Sequence, residues 1–94
     1  MEQSLVLTFD VGTQSARCLL VNESGDFEDK EQQKYKVPYL SKQPGWAEQT
    51  PDFYFNIIAE MSKKVIERNA DKLDRITAVC LTCIRDTVLC LDKD

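Results

Sequence analysis

The run Leu5-Val6-Leu7-Thr8-Phe9, followed at once by Asp10-Val11-Gly12-Thr13-Gln14-Ser15-Ala16-Arg17, constrains this chain more than any other stretch. The first part has the β-branched and aromatic content of a buried strand. Ala16 to Val21 reads as a second strand, so the two make a hairpin whose tip carries Asp10, Thr13, Gln14 and Ser15, with Arg17 just inside. Such a tip suits a metal-bound polyphosphate. Gly12 has no Cβ to hold a ligand away, and successive backbone N–H groups in a turn can form an anion-binding concavity. Hydroxyls at Thr13 and Ser15 add donors, Arg17 offers a charge-assisted contact to phosphate, and Asp10 is a hard oxygen ligand for Mg²⁺. The same residues also serve an ordinary reversing turn, where Asp and Gly supply geometry alone.

With 94 residues the chain is long enough for one small domain or part of a larger one. A net charge of −4 argues against nonspecific nucleic-acid binding, which needs clustered Lys and Arg, but leaves room for a polyphosphate met by a local Arg and Mg²⁺. No apolar run approaches the ~20 residues that span a bilayer. Met1-Glu2-Gln3-Ser4 lacks the basic region and long apolar segment of a signal peptide, so no membrane partner and a cytoplasmic location are expected. Cysteines stand at 18, 80, 83 and 90, and histidine is absent. Cys80-Leu81-Thr82-Cys83 has metal-pair spacing, yet on a strand residues three apart point to opposite faces. Buried free thiols are therefore expected over a zinc site built from all four.

Further along, Asn22-Glu23-Ser24-Gly25-Asp26 is a turn signal, and Phe27 to Tyr39 reads as a polar edge strand with Tyr35 and Val37 on one face. Residues 40–50 form a loop. Thr50-Pro51 opens a helix: Thr is a good N-cap, Pro suits the first helical position, and Asp52 faces the positive end of the dipole. Tyr54, Ile57, Ile58, Met61 and Val65 make one apolar stripe, and Asn69 is expected to close the helix in the left-handed conformation. Arg75 to Cys83 reads as a fourth strand, Thr87 to Leu91 as a fifth. The expected order is α/β: a three-stranded meander, a helix, then two further strands, the first returning parallel beside the opening strand. One sheet face then lacks a covering helix, and the last residues follow a strand at once, so a part of a domain is expected.

Three segments, in order, resemble the N-terminal end of the FGGY carbohydrate kinases. They are the Asp10–Arg17 segment; Pro44-Gly45-Trp46-Ala47-Glu48-Gln49-Thr50-Pro51; and Ile76-Thr77-Ala78-Val79-Cys80-Leu81 running into Arg85-Asp86-Thr87. The first is shared with actin and chaperone ATPases; the second is far more specific. The resemblance implies part of an actin-like, ribonuclease-H-like α/β domain, residues 1–94 being the opening portion of the first of two such domains that enclose ATP and a sugar. It implies that Asp10 holds hydrated Mg²⁺, that Thr13, Gln14 and Ser15 cradle the ATP phosphates, and that Arg17 neutralises charge there. Arg85 and Asp86 are implied to bind sugar hydroxyls. Glycerol-kinase-like members read Gln-Arg-Glu-Thr where this chain reads Ile84-Arg85-Asp86-Thr87, so reach and substrate shape differ. An exposed turn pair is the plainer reading of Arg85 and Asp86. Trp46 either faces the sugar or anchors its loop on the sheet edge, and anchoring is the expectation.

The implied reaction moves the γ-phosphoryl of ATP to a sugar or polyol hydroxyl, by alignment and charge stabilisation. In the family the general base lies downstream of the position matching Asp94, so these 94 residues are expected to lack kinase activity and to bind ATP weakly or not at all. A homo-oligomer stays open for the full-length enzyme. The competing expectation is a non-catalytic, actin-like nucleotide-binding or assembly module.

Overall fold

The computed structural model describes residues 3–36, 39–47 and 49–82. Strand β1 (Leu5–Val11) runs into β2 (Ser15–Asn22), then β3 (Phe27–Lys34), helix α1 (Pro51–Arg68), a 3₁₀ helix (Ala70–Arg75) and β4 (Ile76–Thr82). The sheet order is β3-β2-β1-β4, with β1–β2 and β2–β3 antiparallel and β1–β4 parallel. The meander and the parallel return through a helix are those expected from the sequence. The fifth strand, Thr87 to Leu91, lies outside the described residues.

Alternation along β1 decides which face is the core. Leu5, Leu7, Phe9 and Val11 are buried, as are Ala16, Cys18 and Leu20 on β2. Ile57, Met61 and Val65, four residues apart on α1, are buried on the other side of the same cluster. Five of these side chains have no measurable exposure: Leu5, Cys18, Leu20, Met61 and Val65. Each such apolar side chain contributes about 1.5–3 kcal/mol of transfer free energy. The helix is also bound to β3: Arg68 donates to Asp29 and Glu31, and Asn69 Nδ2 donates to Asp29 at 2.7 Å.

Several boundaries differ from expectation. β3 ends at Lys34, five residues early. There Tyr35 leaves the strand, and its N–H turns back to the Gln14 carbonyl at 2.9 Å. Thr50 stands at the helix N-cap, but its side chain makes no capping bond; instead its N–H donates to Gln49 Oε1 at 2.8 Å. Asn69 does end the helix, with φ −120° and not in the left-handed region. Its side chain closes the end by donating to the Val65 carbonyl, and the chain passes directly into the unexpected 3₁₀ turn. Trp46 is 49% exposed and stands outside the core cluster. Gly45 shapes its loop, at φ +84°, with Trp46 N–H bonded to the Gln43 carbonyl: a turn with Pro at its second position and Gly at its third.

The thiols do not behave alike. Cys18 is buried beneath α1, and burial, with help from the nearby Asp29 carboxylate, pushes its thiol up to about 11. Cys80 is exposed and pairs in register with Thr8, on the opposite face, which corrects the expectation of a buried thiol there. Cys18 and Cys80 therefore cannot share one ion. Cys83 and Cys90 lie outside the described residues.

Candidate functional site at the β1–β2 turn

Strand register builds the site. Asp10 pairs with Arg17 across to β2 and with Thr82 across to β4. Phe9 points into the core, so Asp10 must point to the other face, and its two partners share that face. The result is a row, Arg17–Asp10–Thr82, spanning three strands where β1 and β4 both end. Ligands of open α/β sheets gather beyond such carboxyl ends.

The row is bonded. Arg17 Nη2 donates to Asp10 Oδ2 at 2.5 Å. The Thr82 hydroxyl lies 3.2 Å from Asp10 Oδ1 and 3.1 Å from the Phe9 carbonyl, within donating reach of either. Arg17, followed by Thr82, holds the Asp10 carboxyl below the usual carboxylate range against the raising effect of burial. Asp10 is therefore ionised at neutral pH. Both members of the ion pair are about half exposed, so a ligand can reach them.

The turn itself is Gly12-Thr13-Gln14, closed by the Gly12 N–H donating to the Ser15 carbonyl at 2.9 Å. A Cβ at position 12 would meet that carbonyl oxygen at 3.1 Å, which explains glycine here without any special φ. Thr13 and Gln14 are exposed and Ser15 is half-buried at the start of β2. Tyr35 completes the arrangement: its hydroxyl donates to the Gly12 carbonyl at 2.9 Å and its N–H to that of Gln14.

The expected residues Asp10, Thr13, Gln14, Ser15 and Arg17 are thus brought together, whereas Arg85 and Asp86 lie outside the described residues. Sequence reasoning assigned neither Thr82 nor Tyr35 to the site. Thr82 was findable, because a parallel return beside β1 sets its register against Asp10. Tyr35 carried no local signal.

An ionised carboxylate with the Thr82 hydroxyl beside it fits Mg²⁺, which takes one or two carboxylates and fills its octahedron with water and phosphate oxygens. Among the described residues no three His, Cys, Asp or Glu side chains cluster, so an all-protein cage is not what Asp10 offers. No helix of the described residues is long and apolar enough to cross a membrane.

A family model for the "FGGY family of carbohydrate kinases, N-terminal domain" matches residues 5–94. Among curated relatives, Glycerol kinase 2 of Thermotoga maritima is 33% identical over 89 residues, covering 95% of this chain but 18% of its own length. Among solved structures, a xyloylose kinase from Brucella ovis superposes with a TM-score of 0.73 at 21% identity, covering 82% of this chain and 16% of that one. Plasmodium falciparum glycerol kinase with ADP gives a TM-score of 0.64 at 21% identity, covering 87% and 15%. These superpositions establish the actin-like fold of the described sheet and helix. The chain spans about a fifth of the length of the curated relative it matches.

Proposed function

This chain belongs to the FGGY family of carbohydrate kinases, and from that membership we propose that it forms the opening part of the first actin-like domain of an ATP-dependent sugar or polyol kinase. The observation that carries the proposal is the row Arg17–Asp10–Thr82 beside the Gly12–Ser15 turn. It sets an ionised carboxylate, a guanidinium and exposed hydroxyls against backbone that a phosphate chain can approach. Asp10 holds the Mg²⁺ that accompanies ATP, and the metal's chemistry is to neutralise charge on the phosphates. Thr13, Gln14 and Ser15 cradle those phosphates, and Arg17 adds a charge-assisted contact. Arg85 and Asp86 are the residues proposed to bind the sugar.

The surface supports a place within a larger domain. Val79 and Leu81, in register with buried Leu7 and Phe9, remain 66% and 52% exposed because α1 lies over β2 and β3. Apolar surface of this kind marks a contact with further polypeptide. The family resemblance places the base for the acceptor hydroxyl downstream of the position matching Asp94, so the 94-residue chain alone is expected to transfer no phosphoryl group. A cytoplasmic location accords with the substrates proposed.

Calorimetry on a complete enzyme carrying this segment, with ATP and a panel of sugars and polyols, tests the proposal. Binding of both ATP and one acceptor is expected. Nucleotide binding with no acceptor bound would favour the non-catalytic module instead.

A further inference from the structure

An anion-binding turn must hold its carbonyls away from the anion and leave its N–H groups open. Carbonyl lone pairs facing a phosphate repel it, whereas uncommitted N–H groups attract it. The bonding in the Gly12–Ser15 turn is sorted in that way. The Gly12 and Gln14 carbonyls are both occupied, and by the same residue: Tyr35 gives its hydroxyl to one and its N–H to the other, each at 2.9 Å. The Thr13 and Gln14 N–H groups, by contrast, donate to nothing among the described residues.

Tyr35 is itself firmly held. It is 7% exposed, and its ring meets Phe53 edge-on at 5.0 Å and Tyr54 at 6.3 Å, both from the first turns of α1. Aromatic pairs in this geometry add to simple area burial. Burial, together with Tyr54 and the Asp10 carboxylate, keeps the phenol above its ordinary pKa, so it stays protonated and able to donate. A rigid strut therefore runs from the helix through the ring to the turn.

We propose that Tyr35 is a positioning residue for phosphate binding: it ties the turn's carbonyls to the core side and so presents the Thr13 and Gln14 N–H groups to a phosphate chain. The assignment rests on the reading of this turn as the phosphate site. It concerns any ligand carrying a linear polyphosphate, because the groups presented are backbone N–H donors with no base or sugar selectivity.

The test is amide NMR of a ¹⁵N-labelled complete enzyme carrying this segment, titrated with inorganic tripolyphosphate and Mg²⁺, in wild type, Tyr35→Phe and Phe53→Leu. Tyr35→Phe keeps the ring and removes one bond. It is expected to weaken tripolyphosphate binding about 3- to 10-fold and to speed exchange of the Thr13 and Gln14 amides. Phe53→Leu lowers the melting temperature through the same aromatic cluster but leaves the hydroxyl in place, and is expected to keep wild-type affinity. Equal affinity in Tyr35→Phe and wild type would overturn the proposal while leaving the phosphate site standing. A loss in Phe53→Leu matching that in Tyr35→Phe would reduce Tyr35 to a stabilising residue and overturn it too. Wild-type amides indifferent to tripolyphosphate would overturn the phosphate reading of the turn, and the proposal with it.

Discussion

Arg17 and Asp10 neutralise one another across β1 and β2, and that pairing sets the terms on which a cation enters. A divalent metal must share or displace the guanidinium, which a phosphate chain can in turn receive. Replacing Arg17 with Gln should raise the Asp10 titration midpoint toward the usual carboxylate value of about 3.9, followed by NMR of its carboxyl carbon. The same variant should bind Mn²⁺ alone more tightly but Mg²⁺–tripolyphosphate more weakly, opposite signs from one substitution. If both affinities fall together, Arg17 is not competing for Asp10. Gly12→Ala should cost about 1–3 kcal/mol, because its Cβ would crowd the Ser15 carbonyl oxygen.

Elements were legible where one local rule decided them. β1 could be read from its β-branched and aromatic content and α1 from Thr50-Pro51 at one end and Asn69 at the other. What stayed hidden was set by distant contacts. Thr50 has a good cap residue's chemistry, but Gln49 takes its N–H and its hydroxyl makes no bond to the helix. Asn69 was expected to close α1 through backbone conformation, whereas it does so through its side chain, bonded to Val65 and to Asp29 forty residues away. Tyr35 ends β3 early because its partners lie at Gly12 and Gln14, which no reading of residues 27–39 could supply. Thermal unfolding should separate these cases. Thr50→Ala is expected to cost only a few tenths of a kcal/mol, well below the ~1 kcal/mol of a functioning cap. Met61→Ala, which opens a cavity in the core cluster it shares with Leu5 and Leu20, should cost about 2–5 kcal/mol.

For the molecule as a whole, α1 covers the β2 and β3 part of one sheet face, and the other face carries the row proposed to bind phosphate. Charged groups on and off that row contribute to stability, and the pH profile should show this. The pKa values of Asp10 and Glu28 are depressed chiefly by Arg17 and Arg75, and that of Asp29 is depressed although burial opposes it. Groups whose folded pKa is depressed stabilise the fold above their unfolded pKa and lose that contribution as pH falls below about 4. Cys18 acts at the other end. Its thiol is raised from 9.0 to about 11, so its contribution is intact below pH 9.0 and is lost as pH climbs toward 11. Melting temperatures across that range should fall in wild type and fall less in Cys18→Ala. The most direct measurement of the central claim is paramagnetic broadening of amide resonances by Mn²⁺–ATP, added at low stoichiometry to a ¹⁵N-labelled complete enzyme carrying this segment. The amides of residues 10–15 and of Thr82 should broaden first, and Asp10→Asn should abolish the effect. Broadening centred elsewhere, or unchanged in Asp10→Asn, would contradict a β1–β2 turn that grips magnesium and triphosphate.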